Sequence, residues 1–243
     1  MLSTEIVIDP LFEGPPAIAH GGYTCGLLAL RMGGNGEVTL RRPVRLGVPL
    51  RLARAGDGGL DLFDGPALVA RAGPPGGELP LAGPPPPTFA QALAASSAFP
   101  GLVEHPYPRC VVCGPRRTDP DAFRIFPGPV LDGDMVAAVW HPAGTAAAGG
   151  QLRREVGWAA LDCPGGWAAG ILGEVSGALV LGRMAVWLAD DLPADDTYML
   201  TGWWGGRAGR KLGAGSALYR RDGTLLGLSR QTWIALDGDG VTA

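Results

Sequence analysis

Residues 17–32 read AIAHGGYTCGLLALRM, and residues 161–170 read LDCPGGWAAG. In each, two adjacent glycines introduce an almost uninterrupted apolar stretch. From Gly22 to Met32 the chain is apolar nearly all round and is closed by Gly33-Gly34, the pattern of a buried helix. The second stretch predicts a helix that starts within Leu161–Gly166 and runs from Trp167 to about Val175. Outward from both helices the pattern changes to strand-length runs. Thr4–Ile8 precedes the first helix. Val38–Arg42, Val48–Ala53, Leu60–Phe63 and Ala67–Arg71 follow it, separated by Gly, Pro and Asp turns. Phe123–Phe126 and Met135–Trp140 precede the second helix. Ala178–Leu188, Thr197–Trp204, Gly209–Tyr219 and Thr224–Leu236 follow it. The same unit therefore occurs twice. Aligning Gly21-Gly22 with Gly165-Gly166 sets Ile18 against Asp162 and His20 against Pro164.

A curved sheet needs apolar cover on its concave face, and one central helix per unit supplies it. A single unit leaves an unpaired edge strand, a liability that a second unit removes by pairing with it. The expected architecture is α+β, with two antiparallel sheets each wrapped around a central helix. The first unit spans residues 1–85. A linker with a short helix, Thr88–Ala98, spans 86–108, and the second unit spans 109–243. The segment from Gly73 to Pro87, GPPGGELPLAGPPPP, is too rich in proline for a helix or central strand.

Of 243 residues, 47% are apolar, enough for a substantial core. Gly 40 and Pro 23 together make 63 residues, about 26%, which borders on a low-complexity composition. Disorder also needs low hydrophobicity and high charge, whereas charged residues are 18% and the net charge is -3. The same weak charge excludes non-specific nucleic-acid binding as the main role. Lys211 is the single lysine and the other basic residues are arginine. That bias fits a GC-rich genome, so no arginine is read as functional for being arginine. The most apolar stretch, Gly157–Gly173, is broken by Asp162 and Pro164-Gly165-Gly166, short of the ~18 uncharged residues of a membrane span. The first twelve residues lack a basic leader region, and four cysteines make no disulfide framework. A soluble cytoplasmic protein is expected.

With these residues in place, the chain resembles the hotdog fold in the fused double form of the thioesterase-like superfamily. The resemblance rests on AHGGYTCGLLA and LDCPGGWAAG, supported by the strand blocks VTLRRPVRLGVPLRL and LVLGRMAVWLADDL, and covers both halves outside the linker. It implies an association with acyl-CoA or other acyl thioesters, with no cofactor beyond the CoA of the substrate. It does not fix an activity, because hotdog proteins also include dehydratases, hydratases and non-catalytic members. In the double-hotdog acyl-CoA thioesterases, an Asp at the second helix start works with a Gln on the last strand and a hydroxyl residue on the first strand after the helix. Asp162 and Gln231 match two of these positions. The third falls within Ala178–Met184, which has no Ser or Thr. Many single-hotdog thioesterases carry a His-Gly-Gly, matched here by His20-Gly21-Gly22, but the acid they need further along the helix is missing from Tyr23–Leu30.

Each candidate has two readings. Asp162 is a general base for water attacking a thioester carbonyl, or a helix N-cap or a structural hydrogen-bond partner of Ser, Trp or backbone. Gly165 and Gly166 offer backbone N–H groups to an oxyanion at a helix start, or permit close packing. Gln231 orients that water, or is an ordinary polar strand residue. His20, Gly21 and Gly22 form an alternative substrate-binding site, or His20 is structural. Cys110-Val111-Val112-Cys113-Gly114 has the spacing of half a zinc knuckle. Cys25, Cys163, His105 and His141 supply no second pair, so no metal is expected, with zinc shared with His105 or across a dimer as the alternative. Cys163 is a poor nucleophile candidate, being followed by proline with no histidine nearby. Arg207, Arg210, Lys211, Arg220 and Arg221 make a basic hairpin that is either a rim for CoA phosphates or a solvated surface. Trp167, Trp203 and Trp204 line an acyl pocket or fill the core. The expected function is hydrolysis of an acyl thioester by water activated at Asp162. The alternative is a non-catalytic acyl-thioester binding protein with a degenerate site. The expected partner is a small acyl thioester, with neither nucleic acid nor membrane, in a chain that stands alone or pairs as a homodimer.

Overall fold

The computed structural model describes residues 4–34, 36–77, 83–131, 133–142 and 144–236; residues 78–82 of the proline-rich linker lie outside them. The first unit comprises β1 (Glu5–Ile6), α1 (Gly21–Arg31), β2 (Glu37–Leu40), β3 (Leu50–Arg54), β4 (Leu60–Asp64) and β5 (Ala67–Gly73). A connecting helix, α2 (Phe89–Ser97), opens on a capping box in which Thr88 and Gln91 satisfy each other's free amides. Then come β6 (Gly128–Pro129), β7 (Met135–Trp140), a small ribbon of β8 (Ala147–Ala148) and β9 (Gln151–Leu152), and α3 (Arg154–Ile171). Four long strands finish the chain: β10 (Leu179–Leu188), β11 (Tyr198–Ala208), β12 (Lys211–Arg220) and β13 (Leu225–Ala235).

The main sheet has the order β1-β3-β4-β5-β2-β10-β13-β12-β11-β7-β6. The duplication shows in that order. In the first unit the strand before the helix comes first, followed by the third, fourth, fifth and second: β1-β3-β4-β5-β2. The second unit repeats it as β7-β11-β12-β13-β10. The two expected sheets are in fact one. Val38 pairs with Met184 and Thr39 with Arg183 in antiparallel register, so the free edge of each unit satisfies the other. Glu37 clips this seam, accepting from Arg183 at 3.3 Å and Arg230 at 2.9 Å.

Strand residues alternate between two faces. Ala138, Trp140, Leu200 and Leu218 face the main core with α1 and α3. Ala137, Met199, Ala217 and Tyr219 face the other way, where α2 covers them with Ala92 and Ala95. The short helix thus lies on the outside. Trp203 also packs on that outer cluster.

Two sequence expectations are corrected. First, α3 starts at Arg154, well before Leu161–Gly166, and Pro164 lies inside it. Proline cannot donate to the carbonyl four residues back, and that loss disguises the helix in the sequence. That carbonyl is Ala160's; at the next residue the Leu161 carbonyl accepts from Ser216 Oγ and, at 2.6 Å, from Gln231 Nε2, which ties this part of the helix to the sheet. Gly165-Gly166 is therefore not the counterpart of Gly21-Gly22, which begin α1. Second, Phe123–Phe126 is not a strand. Arg124 has φ +55°, and the Phe123 and Ile125 N–H groups donate to Val111 and Val112 carbonyls.

The two core helices run antiparallel and almost touch. A Cβ on Gly22 would lie 2.6 Å from Asp162 Cβ, and one on Gly26 would lie 2.7 Å from Glu155 Cα. Glycine at these positions is what brings the start of α1 against the middle of α3.

Candidate active site

The closeness of α1 and α3 turns two alternative sites into one. His20 is the N-cap of α1 and Gly21 and Gly22 are its first residues. The first amides of a helix have no intrahelical acceptor. The Gly22 N–H spends its hydrogen bond on Asp162 Oδ2 at 2.6 Å. His20 Nε2 lies 3.5 Å from the same oxygen. Asp162 is thus neither a cap nor at a helix start. It is a buried carboxylate on the inner face of α3, anchored by the N-terminus of the other helix. Its second oxygen, Oδ1, is buried and has no hydrogen-bond partner among the described residues.

A cavity of about 330 Å³ opens onto this group. Trp167, Ile171 and Val175 form one wall, Leu179, Leu181 and Trp233 another, and Tyr107, Cys110 and Cys113 a third. His20, Gly21, Asp162 and Cys163 lie at the polar part of the lining. Tyr107 brings a second buried oxygen without a partner, its OH. A second cavity, about 370 Å³, shares Pro15, Gly21, Val180 and Leu181 with the first and carries Arg41 and Arg42.

Burial pushes the Asp162 carboxyl up to about 6, against the downward pull of His20 and the Gly22 N–H. Burial opposes charge on His20, yet the neighbouring Cys110 and Asp162 carry its pKa above the ordinary value. Burial likewise pushes the Tyr107 phenol up to about 12, so it is a hydrogen-bond donor at neutral pH. Cys110 is driven well down, toward its thiolate, by hydrogen bonds with the Cys113 and Cys163 thiols, while burial holds those two well up. These thiols are brought together in space although Cys163 lies far along the chain. Cys163 Sγ is 3.3 Å from Cys113 Sγ, 3.8 Å from Cys110 Sγ and 3.4 Å from His20 Nε2.

Of the other sequence candidates, Gly166 and Trp167 line the cavity, whereas Gln231 and Gly165 do not. Gln231 has both ends of its amide engaged: Nε2 donates to the Leu161 carbonyl and lies 2.7 Å from Ser229 Oγ, and Oε1 accepts from Trp233 Nε1 at 2.7 Å. It braces α3 one residue before Asp162. Gly165 and Gly166 are interior to α3 and do not present the free amides of a helix start. They make room for the sheet: a Cβ on Gly165 would lie 2.0 Å from Gln231 Oε1, and one on Gly166 would lie 2.7 Å from the Trp233 ring. The basic hairpin is not part of the lining of either cavity. Arg220 pairs with Asp191, and Arg221 lies over the Phe89 ring. Sequence reading missed Tyr107, Arg41 and Arg42, which carry no motif. It also missed the union of His20 and Cys163 with the Cys110–Cys113 turn, which no spacing reveals.

No protein-family model matches the chain, and no curated protein matches its sequence. Solved structures do match in fold. The TesB protein of Mycobacterium avium subsp. paratuberculosis superposes with TM-score 0.61 at 13% identity, covering 98% of this chain and 95% of its own. A conserved protein of unknown function with a hot dog fold from Alicyclobacillus acidocaldarius gives 0.59 at 12% identity, covering 96% and 92%. The chain therefore has a hot dog fold over nearly all of its length. No helix among the described residues is long and apolar enough to cross a membrane.

Proposed function

We propose that this protein hydrolyses an acyl thioester, with Asp162 as general base. The reading is carried by one observation: a buried carboxylate beside an apolar cavity, with one oxygen anchored and the other unpartnered. In this reading the acyl chain occupies the cavity between Trp167, Leu181 and Trp233. Asp162 Oδ1 takes a proton from water as the water oxygen attacks the thioester carbonyl. The carbonyl oxygen develops negative charge and meets the N–H of Gly21, the first amide of α1. The C–S bond then breaks, the thiol leaves with a proton, and a carboxylic acid remains. The adjoining cavity with Arg41 and Arg42 suits the phosphates of CoA. Gln231 acts as a positioning residue for α3 and not through contact with water.

The test is a panel of acyl-CoAs of graded chain length, with binding and hydrolysis measured separately. Asp162→Asn keeps an acceptor for the Gly22 N–H and removes the base. Hydrolysis should fall about 10²–10⁴-fold with binding retained. Undiminished turnover in Asp162→Asn removes Asp162 from the mechanism. Tight binding of several acyl-CoAs with no hydrolysis by the unaltered protein replaces the enzyme with a binding protein.

A further inference from the structure

Residues 103–127 contain no helix or strand, yet they line the cavity with His105, Tyr107, Cys110 and Cys113 and bury Val111, Val112, Phe123 and Ile125 in the main core. Irregular segments of this length inside a compact domain are uncommon and need something to hold them. At the centre of this one, Cys110 to Cys113 form a tight turn in which the Gly114 N–H donates to the Cys110 carbonyl at 2.9 Å. Both thiols point inward and are buried, as are Cys163 on α3 and His20 at the start of α1.

We propose that His20, Cys110, Cys113 and Cys163 bind a zinc ion that fastens this segment to α1 and α3. Three sulfurs and an imidazole nitrogen make a closed donor set for structural zinc. A tetrahedral zinc with Zn–S of about 2.3 Å sets neighbouring sulfurs about 3.8 Å apart and a sulfur and a nitrogen about 3.5 Å apart. Cys110 and Cys163 are 3.8 Å apart, and Cys163 and His20 Nε2 3.4 Å. The ligand atoms of His20, Cys110 and Cys163 all lie within 4.8 Å of one another. Cys113 Sγ, 3.3 Å from Cys163 Sγ, lies outside that group of three and completes the set by a small side-chain rotation. Ligation through Nε2 puts the ring proton on Nδ1 and ends its long 3.4 Å contact with the Tyr23 N–H, while the His20 carbonyl still accepts from the Thr24 N–H at 3.0 Å. Three thiolates around one dication leave net negative charge, which suits the N-terminus of α1.

Two other readings of the cluster fit less well. A disulfide would join Cys163 to one of the two thiols that meet it and strand the other. A nucleophilic cysteine needs its histidine to meet the thiol with one nitrogen and an orienting acid with the other. Here Nε2 meets both Cys163 and Asp162.

Metal analysis and native mass spectrometry of the purified full chain should find one zinc per chain, retained through gel filtration. Exchange with cobalt should give the intense thiolate charge-transfer and visible bands of a tetrahedral sulfur-rich site. Cys110→Ser and Cys163→Ser should lose the metal, and Cys25→Ser should keep it. Removing the metal should lower the unfolding midpoint and make residues 103–127 the first point of proteolysis. The spectrum and the stoichiometry are read on the unaltered chain, so a variant that fails to fold does not decide the matter. A chain that takes up neither zinc nor cobalt while its thiols remain reduced overturns the proposal. So does an oxygen-ligated cobalt spectrum, or proteolysis indifferent to the metal. No substrate enters these measurements, so they stand or fall apart from the hydrolase reading.

Discussion

Gly165→Ala separates packing from catalysis at the glycine pair. The added methyl would lie 2.0 Å from Gln231 Oε1, 2.6 Å from its Cδ and 2.9 Å from its Nε2. All three contacts belong to one side chain, which is itself held by Leu161, Ser229 and Trp233. Overpacking of a fixed core costs about 1–3 kcal/mol. Alanine in place of glycine inside a helix returns about 1 kcal/mol. With an overlap as close as 2.0 Å the cost lies at the upper end of that range, so the net loss is about 2 kcal/mol, and the melting temperature should fall about 4–8 °C for a chain of this size. Gln231→Ala alone should also cost about 1–3 kcal/mol, because it leaves the Trp233 N–H buried without its acceptor. In that background the Gly165→Ala methyl meets none of the three atoms, and the sign should reverse to a gain of about 1 kcal/mol. Urea unfolding of the two single variants and the double variant closes the cycle. The backbone N–H survives in Gly165→Ala, so stability and not an oxyanion contact is what changes. A neutral or stabilising Gly165→Ala in the presence of Gln231 would refute the packing assignment.

Two further changes probe the cavity and the seam. Gly170 lines the cavity, and a Cβ there meets nothing nearer than Leu179 Cδ1 at 4.0 Å. Gly170→Leu should therefore fold with a gain of up to about 1 kcal/mol while excluding the longer acyl chains; unchanged chain-length preference in binding would place the acyl group elsewhere. Glu37→Ala removes both clips at the seam, from β2 to Arg183 on β10 and to Arg230 on β13. Arg183 and Arg230 are partly exposed, so the loss should be about 1 kcal/mol or less and should shrink as salt rises toward 1 M. A loss that persists in high salt would point to packing instead of charge.

The repeated unit was legible because its signals are local. Apolar Gly22–Met32 bounded by glycines, and the strand runs after each helix, follow from periodicity and turn chemistry, and their spans shift by only a few residues in the structure. The start of α3 was not legible, because Pro164-Gly165-Gly166 carries the local signature of a break. The contacts that hold the helix at this point, from Ser216 and Gln231 to the Leu161 carbonyl, come from far along the chain. The fusion of two sheets into one follows from edges that each unit leaves free. Asp162 and the His20-Gly21-Gly22 start stood out separately in the sequence. Their union depends on helix–helix contact at Gly22 and Gly26, which no linear pattern encodes. Gln231 shows the reverse: its position matched a motif, and its amide is fully used in bracing.

The repeated strand order brings a rough twofold relation between the halves, and with it a second location where one helix start meets the other helix's flank. There the start of α3 faces α1, and the room is taken. Phe12 stacks on Tyr23 at 3.6 Å between centroids, Arg153 pairs with Glu155 and reaches the Tyr23 hydroxyl, and its guanidinium sits over the Phe12 ring. A symmetric pair of separate subunits would have to keep both locations alike. In one polypeptide, one location is a plug of aromatic rings and paired charge while the other is hollow, so on the proposed reading one acyl thioester binds per chain.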